Sequence, residues 1–122
     1  MQKVLVVDDD PYILLSIEFL MRKSGYEVMV ARNGIEAMEI INSNKPALVL
    51  LDIMMPDVDG YSICRTIKTT PRLQDIIVVF LSAKTAEDDI RRGLDLGAAM
   101  YIGKPFSTRE LMKKVKELLP AG

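Results

Sequence analysis

The run Ile76-Ile77-Val78-Val79-Phe80-Leu81 is apolar at every position and rich in β-branched residues. A strand keeps such a run only when both its faces are covered, which requires a sheet with helices packed on either side. This segment is therefore predicted to be a central strand. Four further short runs, Lys3 to Val7, Glu27 to Ala31, Ala47 to Leu51 and Met100 to Gly103, alternate with amphipathic stretches of helical length. That alternation predicts βαβ units around a parallel sheet. The last run is short and ends in glycine, which reads as an edge.

The helical stretches carry their periods openly. Ile13, Leu14, Ile17 and Met21 form one face of the first, and Leu111, Val115, Leu118 and Leu119 one face of the last. Asp10-Pro11 supplies a cap and a first-turn proline, while Asn33-Gly34-Ile35-Glu36 and Ser107-Thr108-Arg109-Glu110 read as capping boxes. Gly25 and Gly97 fit the left-handed stop after a helix. The stretch from about Thr85 to Leu96 differs, since only Ala86, Ile90, Leu94 and Leu96 are apolar among its charges. It has little to hold it down.

Composition removes several functions. A net charge of −1 lacks the surplus of Lys and Arg that binding to a nucleic-acid backbone needs, and Lys113, Lys114 and Lys116 read as a solvated helix face. A single cysteine, Cys64, cannot close an internal disulfide or make a structural zinc site. The chain has no histidine, so Ser-His and Cys-His catalysis, imidazole ligation and a role as histidine phosphodonor are excluded. The apolar run from Val4 to Val7 stops at three aspartates, too short for a secretory signal or a membrane span. A soluble, cytoplasmic protein of one domain over residues 1–122 is expected.

Right-handed crossovers leave the carboxyl ends of all strands along one rim, where open α/β sheets bind ligands. The residues at or just beyond those ends are Asp8 and Asp9, Asp52, Ser82 and Lys104. Carboxylates crowded there repel, by about 4 kcal/mol for a pair about 4 Å apart at an effective dielectric of about 20. They need a cation or must bind protons. Mg²⁺ suits an all-oxygen cluster, because it takes one or two carboxylates, keeps several waters and accepts phosphate oxygens. A carboxylate remains as nucleophile, with a hydroxyl and an ammonium to receive charge developing on a phosphoryl group. Each residue alone has an ordinary explanation. Asp9 and Asp10 could cap a helix, Asp57 and Asp59 read as turn residues before Gly60, and Ser82 could cap a strand end. Lys104 could be solvated, and Tyr101 half-buried packing on an edge strand. Their joint placement at consecutive strand ends carries the argument.

Four motifs stand at these ends: Val6-Val7-Asp8-Asp9-Asp10, Leu50-Leu51-Asp52-Ile53-Met54-Met55-Pro56 with Gly60 following, Leu81-Ser82-Ala83, and Lys104-Pro105-Phe106. In these motifs and their spacing the chain closely resembles, over essentially its whole length, the receiver domain of two-component response regulators. The resemblance implies a doubly wound α/β fold, a flavodoxin-like (βα)5 arrangement with a five-stranded parallel sheet in the order 2-1-3-4-5. It implies Asp52 as phosphoacceptor, and Mg²⁺ held by Asp8, Asp9, Asp52 and the backbone carbonyl of Met54. Ser82 would bind a phosphoryl oxygen, Lys104 would pair with it, and Tyr101 would be the aromatic switch residue. A cis bond between Lys104 and Pro105 is also implied.

The implied partners are a sensor histidine kinase or histidine phosphotransfer protein as donor, and a downstream protein or effector domain that reads a changed surface. No direct nucleic-acid or membrane binding is expected. Ala99-Met100 stands before Tyr101 where the winged-helix regulators usually carry an acidic pair, and Gly103 where larger residues are common. Met54 and Lys84 flank the expected path of a hydrolytic water, with apolar Met54 expected to slow hydrolysis. Two rivals are a small Asp-nucleophile phosphatase and an adaptor that is never phosphorylated. The first would want a second Asp two positions after the nucleophile, where Met54 stands; the second leaves an intact site unexplained. A dinucleotide fold would need a Gly-rich turn after the first strand, and here the turn is anionic.

Overall fold

The computed structural model describes residues 1–121. Among the described residues five strands alternate with five α-helices, with a 3₁₀ turn at Pro71–Leu73: β1 (Lys3–Val7), α1 (Pro11–Lys23), β2 (Glu27–Ala31), α2 (Gly34–Asn44), β3 (Leu48–Leu51), α3 (Gly60–Thr69), β4 (Ile77–Ser82), α4 (Glu87–Asp95), β5 (Met100–Gly103) and α5 (Thr108–Leu118). All four strand pairs are parallel and the order is β2-β1-β3-β4-β5. This is the flavodoxin-like α/β arrangement that the resemblance implies. Among the described residues no helix is long and apolar enough to cross a membrane.

Alternating side chains of the strands divide the interior into two layers. Leu5, Val7, Val49, Leu51, Val78 and Phe80 face one way, against Ala37 and Ile41 of α2 and Ile63, Cys64 and Ile67 of α3. Val4, Val6, Leu48, Leu50, Val79 and Leu81 face the other, against Leu14, Ile17 and Met21 of α1 and Leu111, Met112 and Val115 of α5. The helix faces expected from periodicity are thus the ones that pack, with Ile13 and Leu118 at the margins.

The central strand is β3, not β4, although β4 is interior and paired on both sides. Both strands are apolar up to Ser82 at the end of β4, and that pattern reports coverage of two faces but not rank across the sheet. β4 begins at Ile77 because the Ile76 N–H turns back to the Leu73 carbonyl, and it runs on to Ser82, opposite Gly103. β3 begins at Leu48, one residue later than the apolar run.

Caps lie where side chains reach unpaired N–H groups. Asp10 accepts from Tyr12 and Ile13, Asn33 from Glu36, and Ser107 from Glu110. Gly25 and Gly97 have the left-handed backbone expected of helix stops. Asp57 and Asp59 are more than turn residues. Asp59 caps α3 through the Ser62 N–H, at 2.9 Å. Asp57 reaches across to α2, accepting from the Gly34 and Ile35 N–H groups at 2.9 Å each. It therefore ties the loop after β3 to the start of a helix distant along the chain.

α4 is the exception already visible in the charge pattern. It starts at Glu87 rather than Thr85, its N-cap Ala86 offers no side-chain bond, and Gly93 is its one buried residue. That glycine is required by packing. A Cβ there would stand 2.9 Å from the Phe80 ring and 3.0 Å from the Tyr101 ring.

The Asp57 bridge makes a prediction with a pH signature. N–H groups of Gly34 and then Ile35 hold its carboxyl below the ordinary value of 3.8. A depressed carboxylate contributes stability that is present above its unfolded pKa and is lost as pH falls through the folded one. Asp57→Ala should lower the urea midpoint at neutral pH, and the gap from wild type should close in acid. A gap that persists unchanged down to the lowest pH at which the protein stays folded would contradict the bridge.

Candidate functional site at the carboxyl rim

Parallel pairing fixes the site before any side chain is considered. The Asp8 N–H bonds the Ala31 carbonyl at 3.1 Å, the Asp52 N–H bonds Val7 at 3.0 Å, and the Lys104 N–H bonds Ser82 at 2.9 Å. Each residue just past a strand end is thereby anchored to the neighbouring strand. The carboxylates of Asp8, Asp9 and Asp52 converge, with one oxygen of each within 4.8 Å of the others. Asp8 and Asp52 are buried, whereas Asp9 faces solvent and is not a cap.

Lys104 is no solvated lysine. Its Nζ lies 2.7 Å from Asp8 Oδ2 and 3.6 Å from Asp52 Oδ2, with the side chain mostly buried. The other Asp8 oxygen accepts the Asp10 N–H at 2.9 Å. Asp52 Oδ1 accepts the Met54 N–H at 3.3 Å. Burial raises the Asp52 pKa, Lys104 lowers it, Asp8 raises it, and the N–H groups of Met54 and Ile53 lower it; the net displacement is upward. Asp52 is thus a carboxylate whose ionised form is costly, which makes it more basic than a free aspartate. One ammonium against three carboxylates leaves negative charge uncompensated in a partly dry place. The donors are all hard oxygens, so the cluster fits a hard divalent cation and does not suit a thiophilic one.

Gly60 is the hidden partner of Asp52. Its N–H bonds the Ile53 carbonyl at 2.9 Å, and a Cβ there would run into the Asp52 carbonyl oxygen. Only glycine lets α3 begin directly against the strand end that carries Asp52.

Ser82 is fully buried at the end of β4, and its Oγ accepts the Lys84 N–H at 3.1 Å. The Lys84 carbonyl in turn accepts from the Tyr101 hydroxyl at 2.5 Å. Burial pushes that hydroxyl up to about 12, so it stays a donor across the neutral range. Tyr101 is half-buried on an edge strand and is also bonded to the loop that follows Ser82. Gly103 finds its explanation in the same loop, because a Cβ there would lie 2.9 Å from the Thr85 methyl. The small residue admits Thr85 over the end of β5. The Lys104–Pro105 bond is cis.

A groove of about 480 Å³ leads away from the carboxylates, lined among others by Asp9, Met54, Tyr61, Lys84 and Arg92. Met54, expected to flank the path of a hydrolytic water, is 60% exposed there. Of the residues the sequence pointed to, Asp8, Asp9, Asp52 and Lys104 converge, Ser82 ends the adjoining strand, and Tyr101 lies two residues before the end of β5 with its hydroxyl on the Lys84 carbonyl. Nothing in the sequence announced Tyr61 or Arg92, which take part in neither a strand end nor a motif.

The chain matches the response regulator receiver domain family over residues 4–116. Among solved structures it is similar to the receiver domain of the Francisella response regulator 1452, at 35% identity and a TM-score of 0.89 over 97% of this chain and 96% of that one. It is similar to a CheY-like response regulator receiver domain protein from Methanospirillum hungatei JF-1, at 31% identity and a TM-score of 0.89 over 98% and 94%. The signal receiver domain of a DNA-binding response regulator from Colwellia psychrerythraea 34H is 30% identical, with a TM-score of 0.92 over 98% of each chain. With its strand order, its converging carboxylates and the lysine set against them, this chain belongs to the response regulator receiver domain family, the phosphoacceptor switches of two-component signalling.

Proposed function

We propose that Asp52 accepts a phosphoryl group from a phosphohistidine on a sensor histidine kinase or histidine phosphotransfer protein, or from a small acyl phosphate. The observation that carries this is Lys104, whose Nζ reaches both Asp8 and Asp52 beside a third carboxylate. That arrangement collects charge able to steady a phosphoryl group next to an oxygen nucleophile.

An Asp52 oxygen attacks phosphorus in line, and the bond to the donor nitrogen or acyl oxygen breaks, its electron pair leaving with the donor. Lys104 shifts toward the transferred group and pairs with one of its oxygens, while the Ser82 hydroxyl donates to another. A Mg²⁺ held by Asp8, Asp9, Asp52 and the Met54 carbonyl would neutralise the negative charge that otherwise opposes approach of the anionic donor. Water later cleaves the acyl phosphate, releasing phosphate and restoring the Asp52 carboxylate. The chain thus catalyses only its own phosphorylation and dephosphorylation.

Charge-assisted hydrogen bonds contribute about 1.5–3 kcal/mol each, so Ser82 and Lys104 together offer roughly 3–6 kcal/mol. Inverting a two-state equilibrium from about 1:99 to about 99:1 takes about 5.5 kcal/mol. The two contacts are of the size required. The element they would move is α4, which is weakly anchored and joined to Ser82 by a short loop gripped by Tyr101. The readout is then the surface of α4, β5 and α5, offered to a downstream protein or effector domain.

Incubation with Mg²⁺ and acetyl phosphate should add one phosphoryl mass to the wild type and none to Asp52→Asn. A wild type that gains nothing, or an Asp52→Asn that gains equally, defeats the assignment. The raised Asp52 pKa makes a second prediction. A carboxyl raised on folding destabilises the fold where it is ionised, so metal-free Asp52→Asn should melt higher than metal-free wild type at neutral pH. That difference should shrink as pH falls through the Asp52 pKa, and Mg²⁺ should stabilise the wild type more than the variant. An Asp52→Asn protein that melts lower than wild type without metal would show that Asp52 is not under electrostatic strain.

A further inference from the structure

Tyr61 is buried to 2% exposure at the first turn of α3, yet its hydroxyl leaves its own helix and donates to the Asp89 carbonyl of α4, at 3.0 Å. The Arg92 guanidinium, also on α4, lies over the same ring with its carbon 4.2 Å from the centroid. The ring contacts Phe80 at a centroid distance of 5.5 Å, and Phe80 contacts Tyr101 at 5.7 Å. Gly93 of α4 sits against the second and third of these rings. For a helix that buries a single residue and has no side-chain cap, these contacts add to the Lys84–Asp89 pair and the packing of Leu96 in holding it down.

The other end of Tyr61 leads to the acceptor. It follows Gly60 directly, whose N–H is bonded to Ile53 and whose backbone is pressed against the Asp52 carbonyl. Two lines therefore join Asp52 to α4, one through Lys104, Ser82, Lys84 and Tyr101 and the other through Gly60 and Tyr61, and the Phe80 ring connects them. We infer that Tyr61 is a positioning residue for the phosphorylation reaction, a tether from the acceptor loop that holds α4 in its unmodified position and must release when α4 moves. This inference rests on the reading of Asp52 as phosphoacceptor and adds a restraint on the resting state.

Linkage gives the expected consequence. A bond present in the resting state and broken in the switched one opposes phosphorylation, and removing it favours the modified form by the same factor. Tyr61→Phe keeps the ring, the Phe80 contact and the Arg92 cation, and removes only the hydroxyl. Asp89 is half-buried and keeps its place in the helix and its pairing with Lys84, so the variant is expected to fold. A neutral hydrogen bond of ordinary net strength corresponds to about a two- to tenfold change in an equilibrium constant.

The experiment compares hydrogen exchange of the α4 amides from Ile90 to Leu94 in wild type and Tyr61→Phe, together with the rate of phosphoryl uptake from acetyl phosphate and Mg²⁺. In the unmodified protein, exchange in α4 should rise by about two- to tenfold in the variant, with α1, α2 and α5 unchanged. The variant raises the share of protein already in the switched conformation by that factor, so uptake through that conformation should quicken in proportion, and after phosphorylation the two proteins should exchange alike in α4. Unchanged exchange in α4 overturns the tether, as does equal loosening of every helix, which would make Tyr61 an ordinary core residue. Faster α4 exchange with an unchanged uptake rate overturns its role in positioning. If neither protein takes up phosphoryl, the acceptor reading fails and the coupling with it, while the exchange comparison still decides whether the tether exists.

Discussion

Three carboxylates and an ammonium are held together because the hydrogen bonding of the parallel sheet does not stop where the strands do. Asp8, Asp52 and Lys104 each keep a backbone N–H bonded to a neighbouring strand, so their side chains have no freedom to spread. Mutual repulsion would push such groups to solvent if the backbone let it. Instead Asp8 and Asp52 are buried and Lys104 is drawn in over them. The remainder of the rim follows from this crowding. Gly60 is glycine because α3 must start against Asp52, and the anionic turn after β1 leaves the place for a hard cation.

Against that rigid corner stands the weakest helix of the fold. α1, α2, α3 and α5 each bury a stripe of side chains in one of the two core layers, while α4 rests on a glycine, an aromatic row and a few polar bonds. Elements of low local stability are the ones that move in switching proteins. Here the contacts that restrain α4 are also those that report on Asp52, through Ser82 and Tyr101 on one side and Gly60 and Tyr61 on the other. A change of charge at the acceptor can therefore be felt at a surface with little energy opposing its rearrangement.

The strands, their edge, four of the helices and the acidic cluster were legible because each rests on a local pattern: period, capping chemistry, or position at the end of an apolar run. What was not legible depends on contacts between segments far apart in sequence. β3 and the run from Ile77 to Leu81 in β4 are both wholly apolar, so their rank in the sheet could not be read from either. Asp57 looks like a turn residue until α2 is seen to place two N–H groups before it. Lys45 takes a left-handed backbone at the end of α2 without the glycine that would have announced it. Gly103 became intelligible only with Thr85 lying over it. Tyr61 belongs to the same class, an apolar-looking helix residue whose hydroxyl has a partner on another helix.

The most direct measurement locates the phosphoryl group chemically. Borohydride reduces an acyl phosphate to the alcohol, converting a phosphorylated aspartate into homoserine and leaving free carboxylates untouched. Protein incubated with acetyl phosphate and Mg²⁺, reduced and digested, should contain homoserine in place of Asp52, with Asp8 and Asp9 unaltered. Homoserine at either of those two positions, or nowhere in a chain that had gained phosphoryl mass, would contradict the account.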